Sequence, residues 1–408
     1  MTEMAGSARR GLQIYDARER RLVGAADALL SPLRWFRRSS NTAAIRRVLL
    51  LRLERIGDLL MVLEAIQDAR VRWPDAEIDL AVGAWNDAIA RLIPGIRRVE
   101  VASAPWLSRE TSGDSWGALV AAARNWRNNR YDLVLNFEPD IRSNALAWLT
   151  GAPRRVGYSS GGGAAFLTDA AAYDPTAHVS ANARRLVARA LRRNASADEV
   201  TSATTDRGPM LTALPADSVA KAEALVAGAR LPLIGLHASG GRLSKQWHLD
   251  RFAAVARRLA DRHQATIVLT GDSTDRRLVD DVRRWLPGVQ TIDACGTLGI
   301  ADLAALLARL DLFVTGDTGP MHLASVVGTP VVALFGPSQP VRYGPLGPRH
   351  RVVRVDLPCS PCGQVRLPPE RCRGHVPDCM DGIQVEMVVA AADEVLAENG
   401  PRGRIPDC

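Results

Sequence analysis

A chain of 408 residues, 47% hydrophobic and 24% charged, is long enough for two domains with full cores and too apolar to be intrinsically disordered. No apolar run approaches a membrane-spanning length, and Arg9, Arg10, Arg18, Arg20 and Arg21 interrupt every candidate signal-peptide core, which points to the cytoplasm. A formal net charge of +8 directs attention to anionic partners: nucleic acid, anionic lipid or a phosphorylated substrate.

Residues 1–40 form a basic extension with eight Arg against four Asp and Glu. Leu22, Ala26, Leu29, Leu33 and Phe36 fall at helical spacing, with Trp35 near the end. Two readings stand: a helix on an anionic membrane surface, or a helix packed on the first domain. Ile45–Leu53 reads as the first core strand, followed by a loop at Glu54–Asp58 and a helix over Leu59–Arg72. Glu77–Val82 and Val99–Ala102 read as strands, Trp116–Asn128 as a helix and Leu133–Phe137 as a buried strand. Gly151–Gly157 reads as a turn, Ser159–Gly163 as a flexible glycine run, and Thr176–Arg193 as a helix with His178 near its start. This alternation predicts a parallel sheet in a first domain over 41–205. Residues 206–230 read as linker and connecting helix.

A second α/β series occupies 231–398, with a tail at 399–408. Its strands are Leu233–His237, Thr266–Thr270, Thr291–Asp293, Leu312–Thr315 and Val331–Phe335. Its helices are Leu249–Arg262, a segment ending near Trp285, and Ile300–Leu310. Two successive Rossmann-like domains follow, with the ligand cleft expected at the carboxyl ends of the strands. The loops 238–246, 271–275 and 316–320 lie at those ends and are expected to converge.

The stretch Gly316-Asp317-Thr318-Gly319-Pro320 links a buried strand to a helix beginning near Met321. Free N–H groups and the positive end of the helix dipole suit a phosphate or diphosphate there. An ordinary turn capped by Asp317 or Thr318 is the competing reading. His322, in the first turn, either meets a bound phosphate or caps. The chain has only two lysines. Lys221 lies in an exposed helical stretch, whereas Lys245 follows Ser239-Gly240-Gly241 and can neutralise a phosphate. Asp58 stands where a general base or a helix N-cap could stand. Cys359, Cys362, Cys372 and Cys379, with His375 among them, leave three readings open: a tetrahedral zinc site, disulfides or free thiols. Cys295 and Cys408 look incidental. His237 ends a strand and reads as packed.

The segments RVLLLRLERIGDLLMVLEAI, LIGLHASGGRLSKQWHLDRF, IVLTGDSTDR and LFVTGDTGPMHLASVVGTPVVALFGPSQP resemble, in order and spacing, the bacterial heptosyltransferases of lipopolysaccharide core assembly, glycosyltransferase family nine. The resemblance extends over about residues 45–395. It implies a GT-B fold: α/β, two Rossmann-like domains with parallel sheets facing across an interdomain cleft, the first holding the acceptor and the second a nucleotide-sugar. It implies inverting transfer without a required metal, from ADP-heptose as main donor to a lipid-linked or lipopolysaccharide-type acceptor. By position it makes Asp58 the base. Ser239 and Lys245 become donor-phosphate ligands, Asp272 and Leu298 ribose and base contacts, and Asp317, Thr318, Gly319 and His322 the diphosphate and sugar element. The basic amino terminus fits peripheral contact with the inner membrane face. A GT-B epimerase or hydrolase of nucleotide-sugars is the alternative enzyme. A nucleic-acid-binding protein is the alternative of another class, disfavoured because no aromatic-basic platform is present.

Overall fold

The computed structural model describes residues 12–14, 16–32, 44–102, 104–107, 115–191, 208–366 and 368–399. The chain divides into two compact units, Met1–Ser202 and Ala203–Cys408. The first is built on six parallel strands: β1 (Arg47–Arg52), β2 (Glu77–Val82), β3 (Arg98–Val101), β4 (Leu133–Asn136), β5 (Arg154–Tyr158) and β6 (Asp169–Ala171). Their order is β3-β2-β1-β4-β5-β6. The run Val48–Leu51 becomes the central strand because both of its faces are covered, as a parallel sheet with helices on both sides demands. Leu50 sits level with Leu80 on one neighbour and Leu135 on the other. Leu49, Leu51 and Leu53 pack with Trp126, Tyr131 and Leu146.

The second unit repeats the pattern with β7 (Leu233–His237), β8 (Thr266–Thr270), β9 (Thr291–Asp293), β10 (Leu312–Gly316), β11 (Val331–Leu334) and β12 (Arg351–Val353). The order β12-β11-β10-β7-β8-β9 is the same winding read from the other edge. The strand order reverses between β1 and β4 in one unit and between β7 and β10 in the other. Each reversal opens a crevice at the carboxyl ends of those strands, where doubly wound sheets bind ligands.

Three local expectations change. The helix expected over Leu59–Arg72 is two helices, Ile56–Leu60 and Leu63–Arg72. Leu59 through Ile66 are all buried, and a straight helix cannot turn every successive side chain to one core; the break at Met61 and Val62 lets it happen. The expected turn at Gly151–Gly157 contains β5. Two arginines hid this strand, but Arg155 uses its guanidinium locally, Nε donating to the Phe166 carbonyl at 2.7 Å. The helix Ile141–Leu149, capped by Asp140 on the Arg142 N–H, was not anticipated either.

The amino-terminal helix runs Ala17–Leu30, capped by Asp16. It lies against the glycine run: Asp27 accepts the Gly163 N–H at 2.9 Å. A Cβ on Gly162, whose φ is +86°, would stand 2.4 Å from Val23. The opposite face, with Leu22 72% and Leu29 82% exposed, looks to solvent. Leu33, Trp35 and Phe36 lie outside the described residues.

Candidate functional site

In the second unit the crevice between β7 and β10 is bridged by one side chain. The ammonium of Lys245, from the loop after β7, donates to the Asp317 carbonyl and lies 3.2 Å from Asp317 Oδ2, just after β10. The structure therefore brings two of the expected loops together through Lys245 and Asp317. The helix that follows, Gly319–Val326, has Thr318 at its N-cap position, but the Thr318 side chain makes no cap hydrogen bond. Its hydroxyl instead lies 3.1 Å from that of Thr315, and the Asp317 carboxylate faces Lys245. The reading of this turn as a side-chain-capped helix start does not hold. An N-terminus uncapped by side chains, with a cation beside it, can receive an anion. Gly319 adds to this, because beyond its chain neighbours and its own helix backbone a Cβ there would meet nothing within 4 Å. His322 is buried in the first turn.

The loop carrying Ser239 and Lys245 is shaped by Gln246, to which the sequence reading gave no role. Gln246 Oε1 accepts the Gly240 N–H at 2.8 Å, while Nε2 donates to the carbonyls of Ala238 at 2.7 Å and Trp247 at 2.8 Å. Gly240 allows this closure, since a Cβ would sit 2.7 Å from the Gln246 nitrogen. Trp247 anchors the far end, buried, its Nε1–H donating to Ile383 O at 3.1 Å and its ring edge-on to Phe252. Ser239 Oγ accepts the Gly241 N–H at 3.4 Å. The sequence signal was present: an amide six residues after the first glycine of a pair can close a loop on its own backbone.

Asp272, after β8, is exposed and caps the turn Ser273–Asp275, its Oδ1 accepting from the Thr274 N–H at 2.7 Å and the Asp275 N–H at 3.2 Å. Partial burial works to raise its pKa, but these bonds and the Thr274 hydroxyl hold it below the usual carboxylate range. Leu298 is half-buried in the loop after β9. His237, at the end of β7, is packed as expected: burial lowers its pKa, against Asp275 and Asp272, and Nδ1 lies 3.2 Å from Thr270 Oγ1.

In the first unit, Asp58 sits inside the short helix Ile56–Leu60, where Arg55 holds the N-cap position. The N-cap reading of Asp58 is thereby set aside. Its partner is Arg52, whose Nε donates to Asp58 O at 3.2 Å and whose Nη2 approaches Asp58 Oδ1 at 3.5 Å. Arg52 was hidden in the sequence within an apolar strand.

The thiols of Cys359, Cys362, Cys372 and Cys379 are free, so the disulfide reading fails for these four. All four line one small cavity that Ser244 also borders. Burial, with the neighbouring thiols of Cys362, Cys372 and Cys359, pushes Cys379 up to about 11. Among the described residues no group of three or more His, Cys, Asp or Glu is arranged to hold a metal ion. Cys408 lies outside the described residues.

Comparison with known proteins agrees with these motifs. Residues 119–369 match glycosyltransferase family 9 (heptosyltransferase). Lipooligosaccharide heptosyltransferase 2 of Campylobacter jejuni is 30% identical over 156 residues, 38% of this chain and 47% of that protein, so this alignment spans about half the relative's length. Lipopolysaccharide heptosyltransferase 1 of Pseudomonas aeruginosa is 28% identical over 338 residues, 78% of this chain and 86% of that protein. The solved structure of an Escherichia coli ADP-heptose lipopolysaccharide heptosyltransferase II superposes with a TM-score of 0.67 at 19% identity, covering 86% of this chain and 99% of that one, and shows the same GT-B fold. The chain belongs to glycosyltransferase family 9, the heptosyltransferase family.

Proposed function

We propose that the protein transfers a heptosyl unit from ADP-heptose to a hydroxyl of a lipopolysaccharide-core acceptor, with inversion at the anomeric carbon. The observation that carries this reading is Lys245 held against Asp317 beside the helix start at Gly319. The acceptor oxygen attacks the anomeric carbon, the bond from that carbon to the diphosphate oxygen breaks, and ADP departs with the electron pair. Asp58 takes the hydroxyl proton. The departing diphosphate gains negative charge, which the Lys245 ammonium and the N–H groups at Gly319 can neutralise, so the scheme calls for no divalent cation. Ser239, Asp317, Thr318 and His322 complete the diphosphate and sugar contacts, and Asp272 and Leu298 those to ribose and base.

Two accessory features belong to the same proposal. The exposed face of the amino-terminal helix, Leu22 and Leu29 with Arg18 and Arg21, suits peripheral contact with an anionic inner membrane surface that holds the acceptor. The four clustered thiols are donors of the kind zinc prefers, and they share a cavity without being arranged as a metal site; metal analysis with and without the cysteines tests whether zinc draws them together.

The experiment is a thermal-shift titration with ADP, ADP-heptose and UDP-sugars, followed by ADP-release assays with and without lipopolysaccharide from a heptose-deficient strain. Stabilisation by the adenine nucleotides, and ADP release that depends on the acceptor, are expected. Stabilisation by UDP-sugars alone would reassign the donor, and acceptor-independent release would make the protein a hydrolase.

A further inference from the structure

The switch point of the first unit holds a buried carboxyl that the proposed mechanism does not use. Glu138, two residues past the end of β4, is 1% exposed. Its Oε1 accepts the backbone N–H groups of both Leu53 and Glu54, the latter at 2.9 Å, where the chain leaves β1. Arg52, 3% exposed, closes the same junction from the other side. Its Nη1 donates to Phe137 O at 2.7 Å and meets Glu54 Oε2 at 2.8 Å, while Nε and Nη2 reach Asp58. The end of β4 thus grips the end of β1 twice, once through each residue, and the gripped segment leads directly into Asp58.

Glu138 is itself fixed from below. Its N–H donates to Asn136 Oδ1 at 3.1 Å; the Asn136 amide donates to Ser143 Oγ and Asn144 Oδ1, and the Asn144 amide to the carbonyls of Tyr158 and Gly162. This network ties the ends of β1, β4 and β5 into one frame. A neutral acceptor would satisfy two N–H groups equally well. A carboxyl buried among Glu54, Asp140, Arg52 and Arg142 is therefore more than these two N–H groups require.

We propose that Glu138 is a positioning residue for Asp58, fixing through the Leu53–Glu54 backbone and Arg52 the geometry in which Asp58 meets the acceptor hydroxyl. This rests on the reading of Asp58 as the base. The groups around Glu138 are Arg52 on β1, Glu54 on the loop after it, and Asp140 and Arg142 beyond β4; Asp58 and Tyr173 act on the shared Arg52. Burial first, then Glu54, pushes Glu138 up to about 8, against Arg52. While protonated, the carboxyl leaves Arg52 to Glu54 and Asp58. Once ionised at higher pH, Glu138 competes for that guanidinium and Asp58 loses its hold.

The test compares wild type with Glu138→Gln, Glu138→Ala and Asp58→Asn, using ADP-heptose and lipopolysaccharide from a heptose-deficient strain. Hydrogen exchange of the segment around residues 53–60 provides a readout independent of turnover. Glu138→Ala should lower kcat roughly 10–100-fold with an unchanged KM for ADP-heptose and should speed exchange in that segment. Glu138→Gln should restore both near neutral pH and remove the alkaline inflection near 8. Retention of that inflection in Glu138→Gln, or wild-type exchange in both Glu138 variants, overturns the proposal. Full activity in Asp58→Asn overturns the base reading instead, and an inactive Asp58→Asn beside an unaltered Glu138→Gln profile overturns only the positioning role.

Discussion

The side chain of Lys245 reaches across the mouth of the second sheet to Asp317, 3.2 Å from its Oδ2, and so joins the loops that leave β7 and β10. Both side chains are mostly buried, so the pair is not an ordinary surface ion pair. A bound diphosphate would compete with Asp317 for the ammonium.

Lys245→Met should therefore weaken ADP binding about 10–100-fold, the range expected for one charge-assisted contact. Isothermal titration measures it. Lys245→Arg should not restore affinity, because a planar fork does not replace a point charge at the end of a flexible stem. Unchanged ADP affinity in Lys245→Met would take the residue out of the site.

Gly319 offers a cleaner separation of folding from binding. Since a Cβ there meets nothing within 4 Å beyond its chain neighbours and its own helix backbone, Gly319→Val should melt within about 2 °C of wild type. ADP affinity should fall, because the isopropyl group would occupy the space in front of the helix. A variant that binds ADP normally would show that this space is not the phosphate site.

The amino-terminal helix yields two distinguishable outcomes. Leu22→Glu with Leu29→Glu should abolish co-sedimentation with anionic phosphatidylglycerol vesicles while leaving the circular dichroism spectrum unchanged, because both side chains already face water. Gly162→Val should instead detach the helix, through its φ of +86° and the 2.4 Å approach to Val23, costing about 1–3 kcal/mol. Limited proteolysis within residues 16–32 reads that loss.

His237 predicts a pH dependence of stability. Burial lowers its pKa from 6.5, so the unfolded chain binds this proton at higher pH than the folded one. Its contribution is complete above about 6.5 and is lost as pH falls through the folded value, with a slope of at most about 1.4 kcal/mol per pH unit. Urea melts between pH 5 and 7.5 should show this slope reduced in His237→Gln. An identical slope would exclude His237 as its source.

Much of the fold was legible in the sequence because its central strands are nearly continuous apolar runs. Leu233–His237 and Thr266–Thr270 occur as read. What escaped were strands whose side chains earn their place by hydrogen bonding rather than by burial, as at Arg154–Tyr158, and the break in the helix after Asp58, which depends on tertiary packing. The donor-side candidates were visible because glycines, a rare lysine and a helix start fell together. Arg52 and Glu138 were not, since one hides inside an apolar strand and the other becomes meaningful only when β4 lies beside β1.

Gln246 holds the Lys245 loop with an uncharged amide, whereas the segment before Asp58 is held by a carboxyl and a guanidinium. On the proposed reading, the donor loop thus stands on a scaffold that no proton can loosen, and the segment leading to the base on one that titrates. ADP affinity should consequently stay nearly flat between pH 6.5 and 9 while turnover changes, so that acidity of the medium governs how often the protein reacts and not how well it is loaded.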